Sequence, residues 1–210
     1  MFELDHLVIS VASLDQGARA VEEALGVELS PGGHHPHMGT HNRLLSLGPE
    51  IYLEVIAIDP DAPKPDHPRW FSLDEFSGTP RLSNWACRTD DLNAVLQDAP
   101  GGMGTPRHLE RGDFHWQFAI PPSGRLPFDD AVPGLLSWAE TSPHPCQRLP
   151  DIGVRLERLE VTHPDADTLL TAFPALHTLN LVEISSGAEM CLTAHFATPN
   201  GPRNFSQIEP

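Results

Sequence analysis

Apolar and polar residues alternate along residues 4–11. Leu4, His6, Val8 and Ser10 fall on one side and Leu7, Ile9 and Val11 on the other, the two-residue period of a strand. The period then lengthens. Ser13 and Gln16 have the spacing of a capping box, and Leu14, Ala18, Val21 and Leu25 lie on one face of a helix that Gly26 stops. Strands are predicted over residues 27–30, 43–47 and 51–58. The same order then begins again, with a strand over 83–89, a short helix over 92–96 opened by Asp90 and Asp91, and strands over 106–110, 114–120 and 135–140. A third start has a strand over 156–162, a helix over 165–176 and strands over 181–185 and 190–196, one strand short of the others.

Repetition on this scale predicts an α+β fold. Paired βαβββ modules over roughly residues 1–80 and 81–150 would form a concave mixed sheet, and a partial third module starts near 154. Residues 1–165 form the unit of two modules. Residues 166–210 complete the third, ending in a tail from 199 that is expected to pack loosely. A sheet with helices on one face leaves its other face open, and two such units side by side make a cleft. The alternation assigns side chains to it. Leu7, Ile9 and Val11 face the helix, so His6 faces the cleft. Ile51, Leu53 and Val55 face the helix, so Tyr52, Glu54 and Ile56 face the cleft. Glu140 shares a face with Leu136 and Trp138, and residues 114–120 divide into Phe114, Trp116 and Phe118 against His115 and Gln117.

Composition narrows the function. Thirteen Lys and Arg against 29 Asp and Glu leave a net charge of 13 − 29 = −16, which repels phosphate backbones and makes nucleic acid a poor partner. No apolar run approaches the ~20 residues of a membrane helix. Three cysteines without a C-x-x-C spacing, and an N-terminus that begins directly as a strand, fit a cytoplasmic protein. H-E-x-x-H, G-x-S-x-G and phosphate-loop spacings are absent, and no dinucleotide fingerprint follows a strand. Residues 32–41 carry four histidines in a glycine-rich context. They read as a loop at the rim of the cleft whose histidines face solvent, though mobile imidazoles there can also bind metal. His41 and Asn42 introduce the next strand as candidate substrate contacts. Trp70, Trp85, Trp116 and Trp138 read as core or pocket wall.

L-D-H-L-V-I at 4–9, G-T-H-N at 39–42 and Y-L-E-V-I at 52–56 are followed in order by P-x-W-F at 68–71 and P-R-L-S-N-W-A at 80–86. P-G-L-L-S-W at 133–138 and His144-Pro145 complete the series. Together, over about residues 1–165, they resemble the glyoxalase-like family of the vicinal-oxygen-chelate superfamily. The resemblance implies a divalent metal (Zn, Fe, Ni or Mn) on the open sheet face, held by the first and last strands of each module. Carried over, it names His6, Glu54 and Glu140 as ligands. It leaves Asn84, a poor ligand, opposite His6, with Arg158 there in the third repeat. His144 or His115 would supply a further group.

A buried carboxylate in Y-L-E-V-I needs a partner or an ion. Two functions are therefore expected to compete. One is a metal-dependent lyase, isomerase, epimerase or dioxygenase acting on a small oxygen-rich substrate, with Glu140 and His144 as catalytic candidates. Tyr52, Asn84 and His115 join His41 and Asn42 as substrate contacts. The other is a protein that binds or sequesters a small molecule without chemistry. The resemblance also suggests a homodimer.

Overall fold

The computed structural model describes residues 1–208. The chain runs β1 (Phe2–Ser10), α1 (Leu14–Leu25), β2 (Ser30–His35), β3 (Thr40–Ser46), β4 (Tyr52–Ile58), then β5 (Arg81–Thr89), α2 (Leu92–Asp98), β6 (Thr105–Arg111), β7 (Phe114–Ile120) and β8 (Gly134–Trp138). It finishes with β9 (Arg155–His163), α3 (Ala166–Ala172), β10 (Val182–Ser186), β11 (Cys191–Thr198) and β12 (Gly201–Phe205). The α+β class and the paired βαβββ order expected from the periodicity are both present.

The first eight strands form one mixed sheet in the order β2-β3-β4-β1-β5-β8-β7-β6. In each module the first strand pairs parallel with the last, β1 with β4 and β5 with β8. The modules join edge to edge through antiparallel β1 and β5. The sheet curls enough to bring its two edges together: a Cβ on Gly33 of β2 would stand 2.7 Å from Cδ of Arg111 of β6.

Two apolar layers follow from the alternation. Leu7, Ile9, Leu53 and Val55 pack with Ala18, Val21 and Leu25 of α1 on the convex side. Val8, Ile56, Ala86, Leu109, Trp116, Phe118 and Leu136 gather with Trp70, Phe71 and Met38 on the concave side. The face assignment of β4 therefore holds. Each fully buried aliphatic side chain is worth roughly 1.5–3 kcal/mol, enough to fix the register of strands whose one-residue slip would invert every side chain. Ser13 is the N-cap of α1 but its side chain makes no capping bond, so the predicted capping box does not form. Gly26 ends the helix at φ 68 with its N–H on the Glu22 carbonyl.

Residues 155–205 form a separate four-stranded sheet, β10-β9-β11-β12, whose Leu159, Val161, Phe173 and Phe196 share the convex core. The third copy is not one strand short, because β12 completes it. Its wiring differs from the first two: β9 pairs parallel with the very next strand, β10. The expectation of a loose tail from 199 is corrected as well, since β12 is paired along its length with β11; residues 209 and 210 lie outside the described residues. No helix among the described residues is long and apolar enough to cross a membrane.

Candidate functional site

The concave site begins with an irregularity in β1. Its pairing with β5 passes from Leu4↔Cys87 to His6↔Ala86, so two residues of β1 stand against one of β5. This is a β-bulge at Asp5, and it breaks the alternation. Leu4, expected on the face of His6, joins the convex core with Leu7 and Ile9. Asp5 and His6 instead share the concave side.

Asp5 is fully buried. It accepts hydrogen bonds from His6 Nδ1 at 2.6 Å, Trp138 Nε1 at 2.9 Å and His144 Nε2 at 3.1 Å, and the Arg88 guanidinium lies 3.8 Å away. Burial alone would raise its pKa, but the bonds from His144 and His6 outweigh burial and hold the carboxyl well below the ordinary range. A proton is thereby held on His6 Nδ1, and its Nε2 faces Glu54 Oε2 at 3.8 Å.

A second imidazole meets the same carboxylate. His35, the last residue of β2, is buried, with Nδ1 3.0 Å from Thr40 Oγ1 and Nε2 3.9 Å from Glu54 Oε1. Burial, then the charge of Arg111, push its pKa well below the ordinary histidine value, so the ring is neutral and carries a lone pair. Asn42 donates to Glu54 Oε1 at 2.5 Å and accepts from Gly33 N at 2.8 Å and Arg111 at 3.2 Å. Arg111 thus reaches from β6 across the curl to the first module.

These groups enclose a cavity of about 30 Å³ walled by Tyr52, Trp70, Phe71, Trp116, Phe118 and Trp138. That is the space of an ion or roughly one water molecule. Tyr52 stacks on His6 with ring centroids 4.7 Å apart. Its burial, reinforced by Asp5 and Glu54, pushes the phenol well above its ordinary pKa. Trp70 brings a buried indole N–H that has no acceptor among the described residues.

The second module supplies walls without ligands. The pairs His6↔Ala86 and Val8↔Asn84 exchange under the two-fold that swaps β1 and β5, so Asn84 stands in the place of His6, as the spacing predicts. Val8↔Glu54 then corresponds to Ala86↔Gly134, so Gly134 stands in the place of Glu54. A Cβ there would lie 2.5 Å from Cζ of Phe118. Asn84 is buried, lies outside the cavity wall, and neither polar atom of its side chain has a partner among the described residues.

Of the residues singled out from the sequence, His6, Glu54, Asn42 and Tyr52 meet at the cavity, and Trp70, Trp116 and Trp138 wall it. The others do not. Glu140 is exposed in a turn because β8 ends at Trp138, so its predicted place on the sheet face is corrected. His144 uses both ring nitrogens, on Asp5 and on the backbone N–H of Cys146, and is not turned to Glu54. His115 is exposed beside Glu110. His41 pairs with Ala57, a convex-core residue, and so faces away from the cavity.

Three groups of this site were missed from the sequence: Asp5, His35 and Arg111. His35 could have been found among the four clustered histidines, which were read as a rim loop facing solvent. The segment is a strand, so that reading is corrected for His35, while His34 is 70 % exposed. Asp5 and Arg111 left no comparable signal.

A family model described as glyoxalase-like domain matches residues 4–177. Comparison with curated proteins finds no match. Among solved structures, a hypothetical protein from Staphylococcus aureus superposes with a TM-score of 0.62 at 16% identity, covering 90% of this chain and 88% of that one. Methylmalonyl-CoA epimerase from Mycobacterium tuberculosis gives 0.43 at 22% identity over 64% and 85%. The Mn(II)-bound glyoxalase from Novosphingobium aromaticivorans gives 0.47 at 8% identity over 99% and 83%.

Proposed function

Since the chain belongs to the glyoxalase-like domain family, we propose that its cavity is the metal centre of an enzyme acting on a small, oxygen-rich, anionic substrate. The observation that carries this reading is the meeting of two imidazole Nε2 atoms on one buried carboxylate. His6 Nε2 and His35 Nε2 stand 3.8 and 3.9 Å from the two oxygens of Glu54, and each ring's other nitrogen is already engaged by Asp5 or Thr40. Two imidazoles and a carboxylate suit zinc, iron, nickel or manganese. Bonds of about 2.0–2.2 Å would need the three groups to draw together and His35 Nε2 to give up its 3.4 Å contacts with Asn42 and Arg111. A bound ion would act as a Lewis acid on substrate oxygens, stabilising an enolate-type anion.

The rest of the chemistry falls to the chain itself. Asp5 holds His6 in the ligating tautomer, as a carboxylate behind a metal-binding histidine commonly does. Arg111 presents a cation to an anionic substrate, and the Trp70 N–H is a free donor for one of its oxygens. Tyr52, with a raised pKa, is no base at neutral pH. Glu54, through whichever oxygen does not hold the ion, is the cavity group left to take a proton. Trp70, Trp116, Phe118 and Trp138 exclude water and sharpen these electrostatics. A metabolite needs several hundred cubic ångströms, so the walls must part to admit it, and Arg111 bridges the place where the two sheet edges meet.

A second reading, sequestration without chemistry, draws support from the missing ligands at Asn84 and Gly134. Metal analysis and a substrate screen separate the two. Tag-free protein purified without chelator is expected to carry or take up about one divalent ion in the cavity. Glu54→Gln and His35→Ala should abolish that binding together with turnover of 2-oxo aldehyde–thiol adducts, catechols or small 2-hydroxy or 2-oxo acids. Undiminished metal uptake at the cavity in Glu54→Gln would overturn the assignment; metal without turnover on any of these would favour sequestration.

A further inference from the structure

We propose a second transition-metal site on the convex face of the first module, formed by His34, His41 and Asp59. One ligand atom from each of the three lies within 4.8 Å of the others. The register explains the convergence. His34 and His41 are directly opposed across β2 and β3, and His41 is opposed to Ala57 of β4, two residues before Asp59. All three therefore project from the face that carries α1, with the sheet between them and Glu54.

His34 and Asp59 share a proton in this structure, one that a metal ion would displace. His34 is 70 % exposed and Asp59 6 %, so a nearly buried carboxylate lies under an accessible imidazole. Asp59 is held from behind: its backbone N–H donates to the Gly39 carbonyl at 3.0 Å, and its Oδ1 accepts from the N–H of Asp61 at 3.0 Å. Its Oδ2 meets His34 Nδ1 at 2.6 Å. The ring of His41, 5.9 Å from that of His34 between centroids, has no hydrogen-bond partner among the described residues. Two imidazoles and one oxygen suit Zn²⁺, Ni²⁺, Co²⁺ or Cu²⁺ over Mg²⁺ or Ca²⁺, and three protein ligands leave positions open to water.

The placement gives such an ion an effect on the cavity. His34 precedes His35 on β2, and His41 precedes Asn42 on β3. Neighbours on a strand face opposite sides, so an ion outside clamps the two strands whose next residues build the cavity inside.

The test is a Zn²⁺ titration of tag-free protein by calorimetry, in three forms: wild type, His34→Ala/His41→Ala, and His6→Ala/Glu54→Gln. Two sites in wild type and one in each variant is the expected result, with Zn²⁺ raising the melting temperature of His6→Ala/Glu54→Gln. If the histidine pair on the outer face can be removed with no loss of Zn²⁺ stoichiometry, the outer site is overturned and His34–Asp59 is an ion pair only. One site in wild type that vanishes in His34→Ala/His41→Ala and persists in His6→Ala/Glu54→Gln would uphold the outer site and overturn the cavity reading. His34→Gln, at an exposed position, repeats the test if the double variant misfolds.

Discussion

Replacing Asp5 with Asn keeps the shape of a buried side chain and removes its charge. Three donors converge on Asp5: His6 Nδ1–H, Trp138 Nε1–H and His144 Nε2–H. An amide offers one oxygen and one NH₂, so at least one donor faces another donor. If the oxygen stays with Trp138 and His144, the NH₂ meets His6 and drives its proton to Nε2, the atom facing Glu54. If the oxygen stays with His6, Trp138 meets the NH₂ and has no other tautomer to adopt. A hydrogen bond to a charged group is worth about 1.5–3 kcal/mol, and breaking a buried charge network about 3–5 kcal/mol. The expected loss is about 3 kcal/mol, or roughly 6–12 °C in Tm for a chain of this size. Metal affinity at the cavity should fall about 10–100-fold, as when the group behind a ligating histidine is changed. Urea unfolding without metal reads the first effect, and a chelator-competition titration the second. An Asp5→Asn protein with the wild-type midpoint and wild-type metal affinity would refute the idea that Asp5 sets the tautomer of His6.

The folded pKa of Asp5 lies below the ordinary 3.8, so its contribution is present above pH 4 and is lost as pH falls through the folded value. The stability gap between wild type and Asp5→Asn, measured in urea from pH 3 to 7, should be constant above about pH 5 and narrow below pH 4. Glu140→Gln should leave both metal content and turnover unchanged, because Glu140 sits in an exposed turn; loss of metal on elemental analysis would return it to the site. Gly17→Ala would place a Cβ 2.4 Å from that of Val11, so overpacking of about 1–3 kcal/mol should outweigh the helix propensity of alanine and lower Tm in a thermal melt. Arg111→Gln should raise KM for an anionic substrate more than it lowers kcat.

Periodicity was enough to find β1, α1, β4, β5 and β7, and it set Glu54 on the correct face, because these segments bury one side and show it. It failed where backbone geometry, not side-chain pattern, decides. Gly32 and Gly33 look like a loop, yet they lie where the β2–β3 register shifts between Pro31 and His34. A Cβ on Gly32 would stand 2.3 Å from the Asn42 carbonyl oxygen, so glycine here admits the close approach of a neighbouring strand. Reading it as a loop hid His35. The bulge at Asp5 changes which residues share a face, and no alternation rule foresees it. Glu140 was reached by running the alternation of β8 too far, into the turn closed by Ser142 N–H on the Ala139 carbonyl at 2.8 Å. β12 has no apolar period; its pairing with β11 makes it a strand.

The two modules have parted in chemistry while keeping one frame. The proposed ligands all come from β1, β2 and β4 of the first. The second has Asn84 and Gly134 at the matching positions, with Phe118 occupying the space that a side chain on Gly134 would need. A symmetric site would surround an ion with groups from both halves. A site ligated from one half leaves the other side of the ion open to substrate oxygens, as a catalytic centre requires. Walls built by Trp116, Phe118 and Trp138 then decide what reaches it. On the proposed reading, ligation and selection fall to different strands, so substitutions on β7 can change which substrate enters without removing a group that would hold the ion.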